Sequence, residues 1–228
     1  YKLFKKGSQN WNKKLLLSWN QYRSNWIYEY WSQVNLNKQT DMSFEFGIGF
    51  KKNIMFSVGI KQFKNYVYLD SLISVKQAGD NVNVYFADLF FDQSFGSIRT
   101  RSNFRYTSST NLVYPYPEFN VKSELLIDRY YKKRFRYQIG FEFNYLSGFN
   151  KYGYVPALGL FNVRSENSSL EPIFYVNTVF RFELKRFTTF IKLNQISQLL
   201  TGDSFWFVSN YPVYDMYVNL GIRWKFNY

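Results

Sequence analysis

The chain has neither cysteine nor histidine. Without cysteine there is no disulfide framework, thiolate metal site or thiol nucleophile. Without histidine the Ser–His and Cys–His pairs are excluded, and so are the commonest zinc ligand and the commonest general base. Glycine and proline number only 12 and 5 in 228 residues, which removes low-complexity readings. No stretch approaches the roughly 18 consecutive apolar residues of a membrane helix. Residues Ile54–Ile60 form one of the longest uncharged apolar runs, and it is far too short. No segment has a convincing amphipathic helical pattern. The chain opens on Tyr1 with no charged-then-apolar leader, so any signal peptide has been removed or lies upstream. Tyr1 can equally interrupt a longer protein.

What the sequence does have is rings and positive charge. Phe 25, Tyr 21 and Trp 6 make up 23% of the chain, and Lys+Arg 29 against Asp+Glu 16 leaves a formal charge of +13. Hydrophobic residues at 46% exclude disorder, and the length suits one domain over residues 1–228. Aromatic residues favour pleated surfaces. The mean hydropathy of −0.36 looks soluble, but a transmembrane β-barrel alternates lipid-facing and lumen-facing residues, and its average hydropathy stays low.

The alternation is there. Phe135, Tyr137, Ile139, Phe141, Phe143 and Tyr145 are interleaved with Arg136, Gln138, Gly140, Glu142 and Asn144. This is a period of two, which gives a strand one apolar and one polar face. The same rhythm runs through residues 42–50, 54–61, 119–128, 174–184 and 218–228. Residues 25–34, 82–91, 97–106 and 187–195 read as less regular strands. Residues 13–22, 66–73 and 152–162 read as strands or as loop excursions, and residues 1–22 as irregular or as the end of an upstream hairpin. The expected total is about ten to twelve strands. Short connections at Lys51–Asn53, Asp92–Gly96, Lys132–Arg134 and Lys185–Arg186 contrast with long ones at Thr107–Tyr116, Leu146–Pro172 and Ser197–Asp215. Outer-membrane barrels have short periplasmic turns and long outer loops, which puts the chain end at the periplasmic rim. A soluble sandwich also alternates, but its dry core is usually Val, Ile and Leu. Here the apolar faces are mainly Phe and Tyr, which suit acyl chains and interfacial belts. The fold class read from the sequence is all-β, a transmembrane antiparallel β-barrel.

The C-terminal block adds a resemblance. Arg181-Phe-Glu-Leu-Lys-Arg-Phe-Thr-Thr-Phe-Ile-Lys-Leu-Asn-Gln195, then Asn210-Tyr-Pro212, then Gly221-Ile-Arg-Trp-Lys-Phe-Asn-Tyr228 resembles the end of the Bacteroidetes-type putative porin family. Asn65-Tyr-Val-Tyr-Leu69 and Tyr154-Val-Pro-Ala-Leu-Gly-Leu-Phe161 are similar to two of its upstream segments. The resemblance implies an outer-membrane β-barrel and a pore. Family members are typically much longer, so it also implies the C-terminal portion of a larger barrel, or a shortened relative. Trp224, Phe226 and Tyr228 would then be the terminal signal read by the barrel assembly machinery.

Candidate lumen residues follow from the parity. Arg99, Arg101 and Arg105 share one strand face; Arg136, Arg181, Lys192, Arg223 and Lys225 would also face inward, with Glu45, Glu124, Glu142 and Glu183 on the same side. An unpaired basic ladder favours anions. Alternatively, opposite charges pair across strands and fill a small lumen, since like charges two apart repel. Aromatics interleaved with basic residues can stack nucleic acid bases, but the basic residues here are dispersed, with no basic tail or helix, so nucleic acid is not the expected partner. Lipopolysaccharide phosphates and outer-membrane lipids are simpler ones. Catalysis, cofactors and metal are not expected: no Gly-rich phosphate loop or calcium loop stands out. The leading reading is an outer-membrane channel for passive diffusion of small solutes with an anion preference. The alternatives are a non-conducting docking subunit in a larger outer-membrane complex with a protein partner, and a soluble ligand-binding β-domain.

Overall fold

The computed structural model describes the chain apart from residues 1, 7–10, 23–35, 52, 112, 115, 133, 151, 164–168, 203–205, 209–210, 213–214 and 227–228. Its main feature is an 11-stranded sheet in which every strand lies beside its neighbour in sequence. The strands are β1 Lys2–Lys6, β2 Trp11–Tyr22, β3 Gln39–Phe50, β4 Ile54–Lys64, β5 Val82–Phe95, β6 Ile98–Ser109, β7 Phe119–Tyr131, β8 Phe135–Leu146, β9 Ile173–Leu184, β10 Phe187–Asn194 and β11 Tyr217–Trp224. All adjacent pairs are antiparallel. Most of these strands have 11–14 residues, the length a tilted strand needs to cross a bilayer. Among the described residues no ladder joins β1 to β11, so the sheet is an open arc.

The two faces differ as a membrane requires. Phe44, Phe56, Leu125, Phe141, Phe174 and Leu220 all lie on one face and are between 43% and 68% exposed. The opposite face carries Ser57, Gln138, Glu142 and Asn177, each exposed by 5% or less. A soluble sandwich would do the reverse, with its rings meeting in a dry core. Here the rings face outward, the polar side is the crowded one, and hydrocarbon is the solvent that suits the exposed face.

Parity holds even where the sequence pattern falters. Strand β5 reads poorly because Phe86 and Phe90 sit on the polar face, opposite Gly59 and Met55 of β4. The Phe86 ring occupies the space a Gly59 side chain would take, and Phe190 of β10 does the same over Gly221 of β11. An aromatic ring covering a cross-strand glycine is a recurrent way to fill a curved sheet. Gly140 has a different reason to be glycine: a Cβ there would run into the backbone of Leu125 and Leu126.

The connections alternate throughout. Tight turns at 51–53, 96–97, 132–134 and 185–186 lie at one end, and the connections 65–81, 110–118, 147–172 and 195–216 lie at the other. The turn expected at Asp92–Gly96 is tighter, because β5 runs on to Phe95; the loop expected from Thr107 begins after Ser109. Residues 2–22 form a hairpin, β1 with β2. The expectation for 25–34 lies outside the described residues. Residues 66–73 and 152–162 do not cross. They contribute to a small four-stranded sheet at the long-loop end, ordered Tyr152–Val155, Leu160–Val163, Val67–Leu69, Val75–Gln77. Leu69 pairs there with Asn162, and Leu69 and Val75 form a small core with Leu36, Leu158 and Leu160. One helical turn, α1 Gln198–Thr201, ends on Gly202 at φ +69, the left-handed conformation glycine adopts most readily.

Leu125 tests the orientation of the faces. If its side chain meets acyl chains, Leu125→Arg destabilises the full-length protein by about 2–4 kcal/mol when the site is near the bilayer midplane, whereas Glu124→Gln costs far less. Urea unfolding from lipid vesicles, followed by tryptophan fluorescence, measures both.

Candidate lumen wall

The polar face is built by register. On β5 and β6, Asp88 lies opposite Arg105 and Asp92 opposite Arg101. Arg105 Nε and Nη2 donate to the two Asp88 oxygens at 2.7 and 2.9 Å. Arg99 donates to both Asp92 oxygens at 2.8 and 2.7 Å, and Arg101 reaches the same carboxylate at 3.1 and 3.2 Å. Glu124 of β7 lies 3.9 Å beyond Arg101. The arginine run on β6 is therefore neutralised largely by carboxylates of the preceding strand. Bidentate pairs of this kind fix planar geometry as well as charge.

A second network spans β7 to β9. Arg136 donates to both oxygens of Asp128 at 2.8 and 2.6 Å, and Glu183 lies 3.6 Å from its other nitrogen. Gln138 donates to Asp128 at 2.8 Å and accepts from Arg181 Nη1 at 2.8 Å. A third is centred on Glu142. Asn177 donates to Glu142 Oε1 at 2.6 Å and Lys192 at 2.8 Å, while Lys122 lies 3.1 Å from Oε2. Asn144 adds a longer bond of 3.3 Å. The Glu142 side chain is 6% exposed, the lowest of any ion-paired acid in the described residues. A carboxylate so enclosed persists as an anion only with such partners. On β2 and β3, Lys14 and Glu45 pair at 2.6 Å.

The arrangement is a charged polar face backed by an apolar one, on strands long enough to cross a membrane, with short turns at one end and long connections at the other. This is the architecture of an outer-membrane barrel, and the match of the chain to a family model agrees with it. The chain belongs to the family described as "Putative porin", whose model matches residues 2–228.

This porin-family chain also has the fold of outer-membrane receptor barrels. The ferripyoverdine receptor of the Pseudomonas aeruginosa outer membrane superposes with a TM-score of 0.62 at 9% identity, covering 94% of this chain and 31% of the receptor. The FrpB iron transporter from Neisseria meningitidis (F3-3 variant) gives 0.66 at 10% identity, covering 98% and 38%. BauA, the ferric preacinetobactin receptor from Acinetobacter baumannii, gives 0.63 at 13% identity, covering 98% and 35%. The chain spans about a third of the length of these receptors. No curated protein matches it. The chain is an all-β outer-membrane barrel protein of the family described as putative porin, located in the outer membrane. Such proteins are in general not enzymes.

The charged residues singled out from the sequence lie on or beside this polar face. Arg99, Arg101, Arg105, Arg136, Arg181, Lys192, Glu142 and Glu183 lie on the polar face with the partners just given. Arg223 lies on the same face of β11, opposite Thr188. Lys225 follows β11, its backbone N–H donating to the Arg186 carbonyl at 2.9 Å. Among the described residues, Lys61, Arg181, Arg223 and Lys225 pair with no carboxylate. Trp224 and Phe226 are exposed on the apolar side, their rings stacked at 6.2 Å; Tyr228 lies outside the described residues. The two upstream resemblance segments meet: Leu69 of the first pairs with Asn162, just beyond the second. Sequence parity missed Asp88 and Asp92 as arginine partners, because Phe86 and Phe90 disguise their strand. It also missed Lys61 as a free cation, because cross-strand register cannot be read along one strand.

Removing the Glu142 carboxylate would leave Lys122, Lys192 and Asn177 without their shared acceptor. Glu142→Ala is expected to destabilise the protein by roughly 1.5–3 kcal/mol, and Glu142→Gln by less. The midpoint of urea unfolding in vesicles measures the difference.

Proposed function

We propose that the protein is a channel for passive diffusion of small solutes, biased toward anions. The observation that carries this reading is the division of one sheet into an exposed aromatic face and a charged face on which acids and bases pair with one another across strands. A hydrated path needs such a wall, because ions must find substitutes for water that bind them weakly enough to let them leave. The anion bias comes from Lys61, Arg181 and Arg223, and only secondarily from the arginine run on β6, whose charge Asp88, Asp92 and Glu124 largely offset.

The contacts outside the lumen follow from the same geometry. The exposed rings of Trp224 and Phe226 on the last strand suit recognition by barrel assembly machinery. The exposed Lys38, Lys64 and Lys76 at the long-loop end suit lipopolysaccharide phosphates. The second reading, a non-conducting docking subunit, makes the opposite electrical prediction.

Full-length protein in planar bilayers under a KCl gradient separates the two. The expected result is stepwise conductance with a reversal potential favouring chloride. Replacing Arg99, Arg101 and Arg105 with glutamine frees Asp88 and Asp92 and moves the selectivity toward potassium. An electrically silent protein that co-purifies with a stoichiometric partner replaces the channel with the docking subunit.

A further inference from the structure

The long-loop end of the polar face encloses a small cavity of about 50 Å³ between β4, β5, β6 and the 110–118 connection. Water takes about 30 Å³ in the liquid, so the space suits one or two waters or a small oxyanion. Its walls include Lys61, Phe86, Arg105, Thr107, Tyr114 and Tyr116, with no carboxylate among the lining residues.

The cavity is held open by packing. Phe86 lies over Gly59, and its ring faces two cations, with Lys61 Nζ 5.7 Å and Arg105 Cζ 5.8 Å from its centroid. Tyr114 stacks on Phe63 at 5.4 Å and on Tyr116 at 5.4 Å, so the connection is folded against the wall. Ala78, Val82 and Val84 bury themselves beneath Phe63, Tyr66 and Tyr114 and hold that fold in place.

The polar groups around the space are mostly donors. Arg105 spends two N–H groups on Asp88 and keeps three more. Lys61 makes no ion pair among the described residues. Thr107 and the two phenols bring hydroxyl groups. Burial, helped by neighbouring Tyr116, holds the Tyr114 phenol above its usual value, and a phenol is in any case a hydrogen-bond donor at neutral pH.

We propose that this cavity is a binding site for a small oxyanion, of phosphate or carboxylate size, at the long-loop end of the channel. The Lys61 ammonium supplies a charge that forms no ion pair among the described residues, with Asp41 and Glu45 flanking its cross-strand neighbour Ser43; Arg105 and the hydroxyls of Thr107, Tyr114 and Tyr116 supply the directional donors, and the Phe86 ring orders the two cations. The site takes the oxyanion from solution, as a free ion or as the head group of a soluble ester. It deepens the channel reading by naming the solute class that pauses on the wall, but binding at the cavity does not require conduction.

Calorimetric titration of the full-length protein in detergent micelles with inorganic phosphate tests the site, with glycerol 3-phosphate as a separate arm. Saturable binding is expected. Lys61→Met should weaken it about tenfold and Tyr116→Phe about threefold. Lys61→Arg should restore most of it, and Arg129→Gln, which removes a charge outside the cavity, should leave it unchanged. Retained heat-modifiable gel mobility shows that each variant is folded. Binding of both ligands, or of either alone, supports the site and assigns the source of the oxyanion. Absence of saturable binding to either, or Lys61→Met binding phosphate as tightly as the parent, overturns it. Conductance in phosphate-free KCl reads the channel separately: a silent protein that still binds phosphate removes the channel and keeps the site.

Discussion

Backbone hydrogen bonding without water is the constraint on which the rest of this structure depends. In hydrocarbon an unpaired N–H or C=O costs several kcal/mol, so a spanning sheet must pair each strand with its neighbour over its full crossing. The sequential antiparallel ladder from β1 to β11 does this. Once the ladder is fixed, the period of two leaves no further choice: alternate side chains go to lipid or to the inside. Irregular backbone is confined to the ends, where the small loop sheet satisfies its own polar groups. The same constraint bears on the edges. The free sides of β1 and β11 carry ladder groups that must be met by other strands wherever this arc lies in a bilayer.

The inward side obeys a second rule, that charge near a low-dielectric wall needs a partner. Asp88 with Arg105, Asp92 with Arg99 and Arg101, Asp128 with Arg136, and Glu142 with Lys122 and Lys192 are all cross-strand pairs. A slip of one residue in any of these ladders would send one member of the pair into lipid. The ion pairs therefore specify register more than they supply net stability, since desolvation offsets much of their attraction. Glycine and phenylalanine have the same registering effect without charge, as at Gly59 with Phe86 and Gly221 with Phe190.

Much of this was legible along the chain. The stretch 135–145 announces both of its faces because every outward position is apolar and every inward one is polar or glycine. The same is true of 42–50 and, apart from Thr178 and Val179, largely true of 174–184, and Arg99, Arg101 and Arg105 do share one strand face. What could not be read is whatever depends on two strands at once. The arginine partners are in β5, and nothing at Asp88 or Asp92 alone reveals which cations they face. Residues 66–73 and 152–162 have the composition of spanning strands, yet their strands are only three or four residues long. They come together through a parallel contact between Leu69 and Asn162, far apart in sequence. The cavity beneath Tyr114 needs a loop folded back on the wall, and periodicity carries no signal for that.

The distribution of unpaired charge decides how such a wall would treat an ion. Lys61 lies toward the long-loop end of β4, whereas Arg223 lies near the 185–186 turn, at the other end. Between them the acids Glu124 and Glu142 sit opposite one another on β7 and β8, held by Arg101, Lys122 and Lys192. The middle of such a wall is close to neutral, with the unpaired cations Lys61, Arg181 and Arg223 spread toward its two ends. A continuous run of bare arginines would hold an anion too firmly to release it. Separate single cations beside a compensated centre would draw an anion without trapping it, which is the balance that passive transport requires.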